Sequence, residues 1–292
     1  MSQLSRTIAI TAPVVAIDCL ATAAPEISKA KLKDAMSKGA VVLRQGKQVK
    51  RLRRAQTPLQ AGARLELHYD ANLLQRQCAP AQLVADEGAY SVWFKPAGML
   101  SQGNEWGDHL SILRAVELHF ANQRQVFLVH RLDREASGLM LIAHTKAAAA
   151  QFNQLLQGHG IQKNYHIQVC GDWAALPEQG GGSLPLDGKT CETRYRRLSG
   201  EGRYARYEVN LISGRKHQIR RHFAAAKAPI TGDPRYGEHN QHAAGLALQA
   251  VFLSFEWQHG KQRVARRYQL PAELSLWQRL DSVEAATPSA QR

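Results

Sequence analysis

The stretch FLVHRLDREASGLMLIAHT, residues 127–145, sets His130-Arg131-Leu132-Asp133-Arg134 between two apolar runs. A carboxylate beside two guanidinium groups is either a charged hairpin turn or a reactive acid whose ionised form is held by cations. A second stretch, SGRKHQIRRHFAAAKAPITGDPRY, residues 213–236, gathers Arg215, Lys216, His217, Arg220 and Arg221 where the strand pattern YEVNLI gives way to a helix. Basic residues in the first turns of a helix oppose its dipole. That cost is offset when an anion stands in front, and here it could be Asp133, a phosphate, or both. Between the two stretches, IQKNYHIQVCGDW reads as a strand that carries Tyr165.

Such groups need elements to position them. YSVWFKPAGM predicts a strand from Tyr90 to Phe94 that stops at Lys95-Pro96, where Pro-Ala-Gly forces a turn. HLSILRAVELHFAN predicts a helix with Leu110, Leu113, Val116 and Phe120 along one face. VFLVH and GLMLIAH predict two buried strands bracketing the Asp133 loop, with Ser137-Gly138 as the tight turn into the second. TKAAAAQFNQLLQ predicts a helix closed by Gly158. ANLLQRQCAPAQLVA reads as a linker or connecting strand, and EAATPSAQR as a frayed tail.

Composition says what the site should meet. The 292 residues are 44% hydrophobic and 21% charged, as in a soluble globular protein. Lys and Arg number 38 against 24 Asp and Glu, a net charge of +14 that favours polyanionic partners. No apolar run is long enough to span a bilayer, and the N-terminus lacks the compact apolar segment of a signal peptide. Cys19, Cys78, Cys170 and Cys191 are scattered, which fits free thiols in a reducing cytosol better than disulfides or zinc. His239 and His242 are three apart but have no evident third ligand, so no metal site is expected.

The charge is concentrated at the front. Residues 1–78 hold 13 Lys or Arg and 5 Asp or Glu, and RQGKQVKRLRR, residues 44–54, has six basic residues and no acid. The flanks argue for a folded module. Ser28 is a helix N-cap, Leu32 and Met36 share a face, Gly39 ends the helix, and AVVL, Gly46 and ARLELHY read as strand, turn and strand. Lys47, Lys50, Arg51, Arg53 and Arg54 are therefore candidate phosphate contacts.

Taken in order, HRLDREASGLMLIA, KNYHIQVCG, and GRKHQIRRH followed by PITGDPRYG resemble the linked motifs of the RluA-type pseudouridine synthases. KPAGM is similar to the strand and turn that open that family's catalytic domain, and the likeness runs from about Asp86 to Leu270. Residues 1–78 are more loosely similar to the alpha-L RNA-binding module that many members carry. Ala16-Ile17-Asp18 replaces the usual Arg-Leu-Asp opening there, and Gln45-Gly46 the usual Asn-Gly turn. The resemblance implies a cofactor-free isomerisation in which the N1–C1′ bond of a uridine breaks and a C5–C1′ bond forms. Asp133 is implied as the reactive carboxylate, Arg220 as its bidentate partner, and Tyr165 as the residue facing the base. Arg131 is implied to enter the space left by the flipped nucleotide, Ile219 to pack on the uracil, and Lys216 and His217 to face substrate. Ala136 stands where the family usually has Thr, Gln249 where His is common, and Gly245 where a basic residue is common.

The fold expected is α+β, a catalytic domain over residues 79–280 with a mixed, mostly antiparallel sheet. A small α/β module over residues 1–78 precedes it, on a mobile connection near residues 75–85, and a flexible tail over residues 281–292 follows. The partner expected is RNA, ribosomal large-subunit RNA before tRNA, with no membrane, no protein partner, a monomeric state and a cytoplasmic location. A non-catalytic RNA-binding or ribosome-assembly factor is the rival, and it has no need for an aspartate–arginine pair. A DNA-binding regulator lacks a recognisable helix-turn-helix.

Overall fold

The computed structural model describes residues 3–286, which divide into two compact units. The first runs to Cys78 and takes in Leu100–Gln123 as well. It contains β1 (Gln3–Ala9), β2 (Val14–Val15), α1 (Ala16–Ala23), α2 (Lys29–Ser37), β3 (Val41–Gln45), β4 (Gln48–Arg51), β5 (Pro58–Leu59), β6 (Arg64–Asp70), α3 (Ala71–Gln75) and, from the later segment, α4 (Ile112–His119). The strands form an antiparallel sheet in the order β1-β6-β3-β4, with β2 and β5 paired apart from it. As the sequence predicts, the Ser28 hydroxyl caps α2 by accepting from the Lys31 N–H, and Leu32 and Met36 turn inward onto Leu65 and Leu67. Each such leucine contributes roughly 2 kcal/mol through burial.

Two expectations are corrected in this unit. Leu100–Gln123, which the sequence places in the catalytic domain over residues 79–280, clusters with the first unit. The reason is ionic: Arg51 and Arg53 both reach the Asp108 carboxylate, and the Asp108 N–H donates to the Lys38 carbonyl. The buried residues of α4 are Ile112 and Val116, not a face beginning at Leu110. The Ser111 hydroxyl caps the helix, so Leu110 falls before its first turn. The expected linker also begins with a helical turn, α3, whose N-cap Asp70 accepts from the Leu73 N–H.

The second unit comprises Ala79–Met99 and the chain from Arg124 onward. Its elements are β7 (Gln82–Asp86), β8 (Tyr90–Lys95), β9 (Phe127–Leu128), β10 (Ser137–Ala143), α5 (Lys146–Gln157), β11 (Ile161–Val169), β12 (Gln179–Gly182), β13 (Thr193–Glu201), β14 (Tyr204–Leu211), α6 (Gln218–Ala225), β15 (Leu248–His259), β16 (Gln262–Gln269) and α7 (Leu276–Ala286). Ten strands make one sheet in the order β12-β13-β14-β11-β15-β10-β8-β7, with β16 beside β15 and β9 beside β10. Every ladder is antiparallel except β10 with β15, so the sheet is mixed and mostly antiparallel. All seven residues of β10 are buried, as in a central strand covered on both faces, and Leu139 and Leu141 pack with Phe152 of α5 and Leu253 of β15. Thr145 caps α5, which ends at Gly158 as predicted.

Ser137-Gly138 is not a turn but the start of β10, facing Gln249 and Ala250 in the parallel ladder. The expected tail from residue 281 is helical as far as Ala286, and residues 287–292 lie outside the described residues. Among the described residues no helix is long and apolar enough to cross a membrane.

Gly138 has φ +121°, and an added Cβ would meet the N, O and Cα of Ala250 at or inside 2.7 Å. Gly138→Ala is expected to cost about 3 kcal/mol or more, combining overpacking with positive-φ strain. A shift of the denaturant midpoint at constant slope measures it.

Candidate active site

The loop between β9 and β10 carries Asp133, and the turn before α6 approaches it from far along the chain. Arg220, in the first turn of α6, has its side chain 2% exposed and donates from Nη1 to Asp133 Oδ2 at 2.9 Å. Its other donors are spent elsewhere. Nε and Nη2 make a bidentate pair with Asp233, each at 2.8 Å, and the Asp233 side chain is fully buried. The expectation of a bidentate Arg220–Asp133 pair is thus corrected: the fork grips Asp233, and Asp133 takes a single hydrogen bond from Nη1. Asp133 is 21% exposed, so one side of its carboxylate stays open.

Asp233 lies in the PITGDPRYG motif, but in sequence an aspartate before proline carries only the signal of a turn former. It is both. Its Oδ1 also accepts from the backbone N–H groups of Arg235 and Tyr236, so a local turn builds the anchor for a buried guanidinium. Burial alone would raise the Asp233 carboxyl and lower the Arg220 guanidinium. The hydrogen bonds between them reverse both directions, keeping Asp233 below the usual carboxylate range and Arg220 more firmly charged than usual. Tyr236 adds its ring, 5.2 Å from the Arg220 guanidinium carbon.

His217 sits just ahead of α6 in the left-handed region, φ 54°, which turns its ring toward the carboxylate. Nε2 lies 3.6 Å from Asp133 Oδ1, and Nδ1 is 2.9 Å from the Tyr236 hydroxyl. Burial pushes its pKa down despite the facing Asp133, so the imidazole is neutral at pH 7. Arg215 and Lys216 precede the helix and are exposed, so they do not load its first turn as the sequence suggested. Arg221 pairs with Asp187. Gln218 fastens this turn: its Oε1 accepts from Ser213 Oγ and the Arg215 N–H, and its Nε2 donates to Glu192 O and Thr193 Oγ1.

Tyr165 is buried in mid-β11, between Val209 and Ala250 of its neighbours. Burial, with Asp133 adding to it, raises its phenol above the ordinary tyrosine range, so it stays protonated and a donor. Ile219 is buried beside Arg220 on α6. Arg131 is exposed two residues before Asp133, and Arg134 turns away to pair with Glu135. The two flanking arginines that drew attention in the sequence are therefore not what holds Asp133.

The Asp133 loop is anchored from below by Lys95. This fully buried residue donates from Nζ to the carbonyls of Pro96, Met99 and Ala136 at 2.7–3.0 Å and to that of Arg134 at 3.4 Å. Those last two carbonyls flank the loop just past Asp133. Ala136 thus contributes its backbone where a threonine hydroxyl was missed. Gln249, where a histidine was anticipated, joins Ser137 to the 274–276 segment through three hydrogen bonds. Among the described residues no three His, Cys, Asp or Glu side chains gather as a metal site.

Of the candidate RNA contacts, Lys47, Lys50 and Arg54 are exposed. Arg51 and Arg53 are not available as read from the sequence. Arg51 also donates to the Gly39 and Asn104 carbonyls and Arg53 to that of Ser37, in addition to the Asp108 pairs.

Asp233→Asn removes the charge that Arg220 needs while keeping the shape. It is expected to cost about 3–5 kcal/mol, because a buried cation loses its two-pronged, fully buried partner and keeps only the single contact to Asp133. Asp233 is depressed in the folded state, so its stabilisation is present above the unfolded carboxylate pKa and is lost as pH falls through the folded value. The wild-type and Asp233→Asn stabilities, measured by denaturation, should therefore begin to approach each other below about pH 4 and meet only once the pH is below the folded Asp233 value.

Known proteins resemble this chain over most of its length. A family model described as RNA pseudouridylate synthase matches residues 89–225. A Chloroflexus aurantiacus protein named "Uncharacterized RNA pseudouridine synthase" is 32% identical over 262 residues, 80% of this chain and 78% of that one. "Ribosomal large subunit pseudouridine synthase C" of Yersinia pestis is 27% identical, over 75% of this chain and 74% of its own. The solved structure titled "Human RNA Pseudouridylate Synthase Domain Containing 4" superposes with a TM-score of 0.54 at 23% identity, over 68% of this chain and 93% of that one, and shares the fold. With the motifs in order and the relatedness extending over four fifths of its length, the chain belongs to the RNA pseudouridine synthases, which isomerise uridine to pseudouridine in RNA.

Proposed function

We propose that this chain isomerises specific uridines in large-subunit ribosomal RNA, with Asp133 acting at the ribose. The observation that carries the reading is the arrangement around Asp133. One oxygen is engaged by a buried, permanently charged Arg220, the other is only 3.6 Å from a neutral His217, and the carboxylate remains partly open. A pure RNA binder has no use for a carboxylate held in this way. Asp133 acts at C1′ and C2′, where its charge stabilises the sugar as the N1–C1′ bond breaks. Once the uracil has turned over, C5 joins C1′, and the proton lost from C5 is matched by one gained at N1. No electrons leave the nucleoside, so the reaction calls for no cofactor. Tyr165 offers its ring to the base and a neutral hydroxyl for proton relay. Ile219 packs on the uracil, and exposed Arg131 fills the gap left by the flipped nucleotide. Lys216 and His217 face the substrate from the turn before α6.

The ribosomal target is supported by relatives named for the large subunit, such as the Yersinia pestis protein, and by the basic first unit. Lys47, Lys50 and Arg54 are the phosphate contacts of that unit in this reading. The enzyme acts as a monomer in the cytoplasm.

Asp133→Asn should abolish pseudouridine formation while RNA affinity stays within about twofold of wild type, because the amide keeps the shape and loses the charge. Mapping pseudouridines in total RNA from cells with and without the gene tests the target. Sites lost from tRNA alone would replace ribosomal RNA as substrate, and no lost site with retained binding would favour an assembly factor.

Replacing Lys47, Lys50 and Arg54 together by Ala should lower the slope of log affinity against log salt by about 2 to 3, since each phosphate contact adds about 0.7–0.9. The single-turnover rate at saturation should be unchanged. Point substitutions are preferable to deleting residues 1–78, which would leave Leu100–Gln123 without the rest of its unit.

A further inference from the structure

We infer that Lys163 receives a phosphate oxygen adjoining the target uridine and so sets how the flipped nucleotide is seated. This rests on the reading of the Asp133 site as a uridine isomerase. Lys163 lies on β11 two residues before Tyr165, so both side chains share one face of the strand, about 7 Å apart along it. Lys163 is only 9% exposed, and its Nζ has no hydrogen-bond partner among the described residues yet is not fully sealed, so an incoming group can reach it. Its ammonium lies beside the segment that leads to His217, 3.7 Å from where a Cβ on Gly214 would stand.

The titratable neighbour that feels this charge, His130, cannot balance it. His130 accepts the Leu141 N–H at Nε2, and burial together with the Lys163 charge pushes its pKa down to about 3. It is neutral at pH 7. Burial also pulls the Lys163 ammonium below the ordinary lysine range. A methionine of similar length would fill this place without any desolvation penalty, so the ammonium is costly unless an acceptor arrives from outside. A uracil carbonyl is neutral and would not offset a buried charge, whereas a phosphate would. Lysine, a compact point charge, suits a single phosphate oxygen better than the bidentate role that Arg220 already fills. With the base against Tyr165, the next group along the same nucleotide is its ribose phosphate.

The test uses full-length protein and an unmodified transcript of large-subunit ribosomal RNA. Lys163→Met should melt at the wild-type temperature or above, bind the transcript more weakly, and show a salt slope shallower by about 0.7–0.9. Lys163→Arg should recover part of that slope. Lys163→Gln is the second variant should the methionine protein fail to fold. A single methylphosphonate, introduced by splint ligation next to the isomerised uridine, should weaken wild-type binding at one of the two flanking linkages and leave Lys163→Met unaffected. Wild-type affinity and slope in the variants would overturn the inference, as would equal methylphosphonate effects in both proteins. Absence of pseudouridine in the transcript treated with wild-type protein would instead sink the reading on which it rests.

Discussion

A guanidinium buried to 2% exposure cannot persist without compensating charge, and the catalytic unit is arranged around meeting that demand for Arg220. Asp233 meets it with two parallel hydrogen bonds, and the turn that presents Asp233 spends two backbone N–H groups to hold it still. Asp133 takes a single hydrogen bond from Nη1, the nitrogen that Asp233 leaves free. The division of labour has a chemical meaning. A carboxylate gripped by both prongs would be charged but occupied, whereas a carboxylate held by one donor is oriented and still has an oxygen to offer. The structural acid is fully buried and the open one reaches solvent, and that difference separates their roles.

The same solution recurs wherever irregular chain must be held near the site. Loops have no ladder to satisfy their peptide groups, so buried side chains supply the partners. Lys95 collects carbonyls on both sides of the turn that follows Asp133, and Gln218 ties the segment before α6 to β13. Gln249 does likewise between β10 and the start of α7. Its three hydrogen bonds use both ends of a side-chain amide, which a histidine ring could not reproduce with the same partners. The departure from the usual residue is therefore absorbed by the scaffold. Charge in the first unit shows a related economy. Part of its basic surplus is internal cement, because Arg51 and Arg53 converge on Asp108, while Lys47, Lys50 and Arg54 face outward.

Much of this was legible in advance wherever the deciding physics is local. Ser28 and Thr145 cap their helices through hydrogen bonds to N–H groups three residues on, and that spacing is written in the chain. The pattern IQKNYHIQVCGDW sets Tyr165 on a strand, and the ordered motifs single out Asp133 and Arg220, which meet at 2.9 Å. What only the tertiary structure decided concerns groups brought together across long stretches of chain. Which carboxylate receives the fork of Arg220, whether Arg51 and Arg53 are free, and which unit Leu100–Gln123 joins all depend on such approaches. Ser137-Gly138 shows the limit most clearly: read alone it is a turn, yet its neighbour in space is Ala250, and the parallel ladder makes it a strand. Propensity and capping act within a few residues, while the choice of ionic partner is made by the packing that sets the distance between charges.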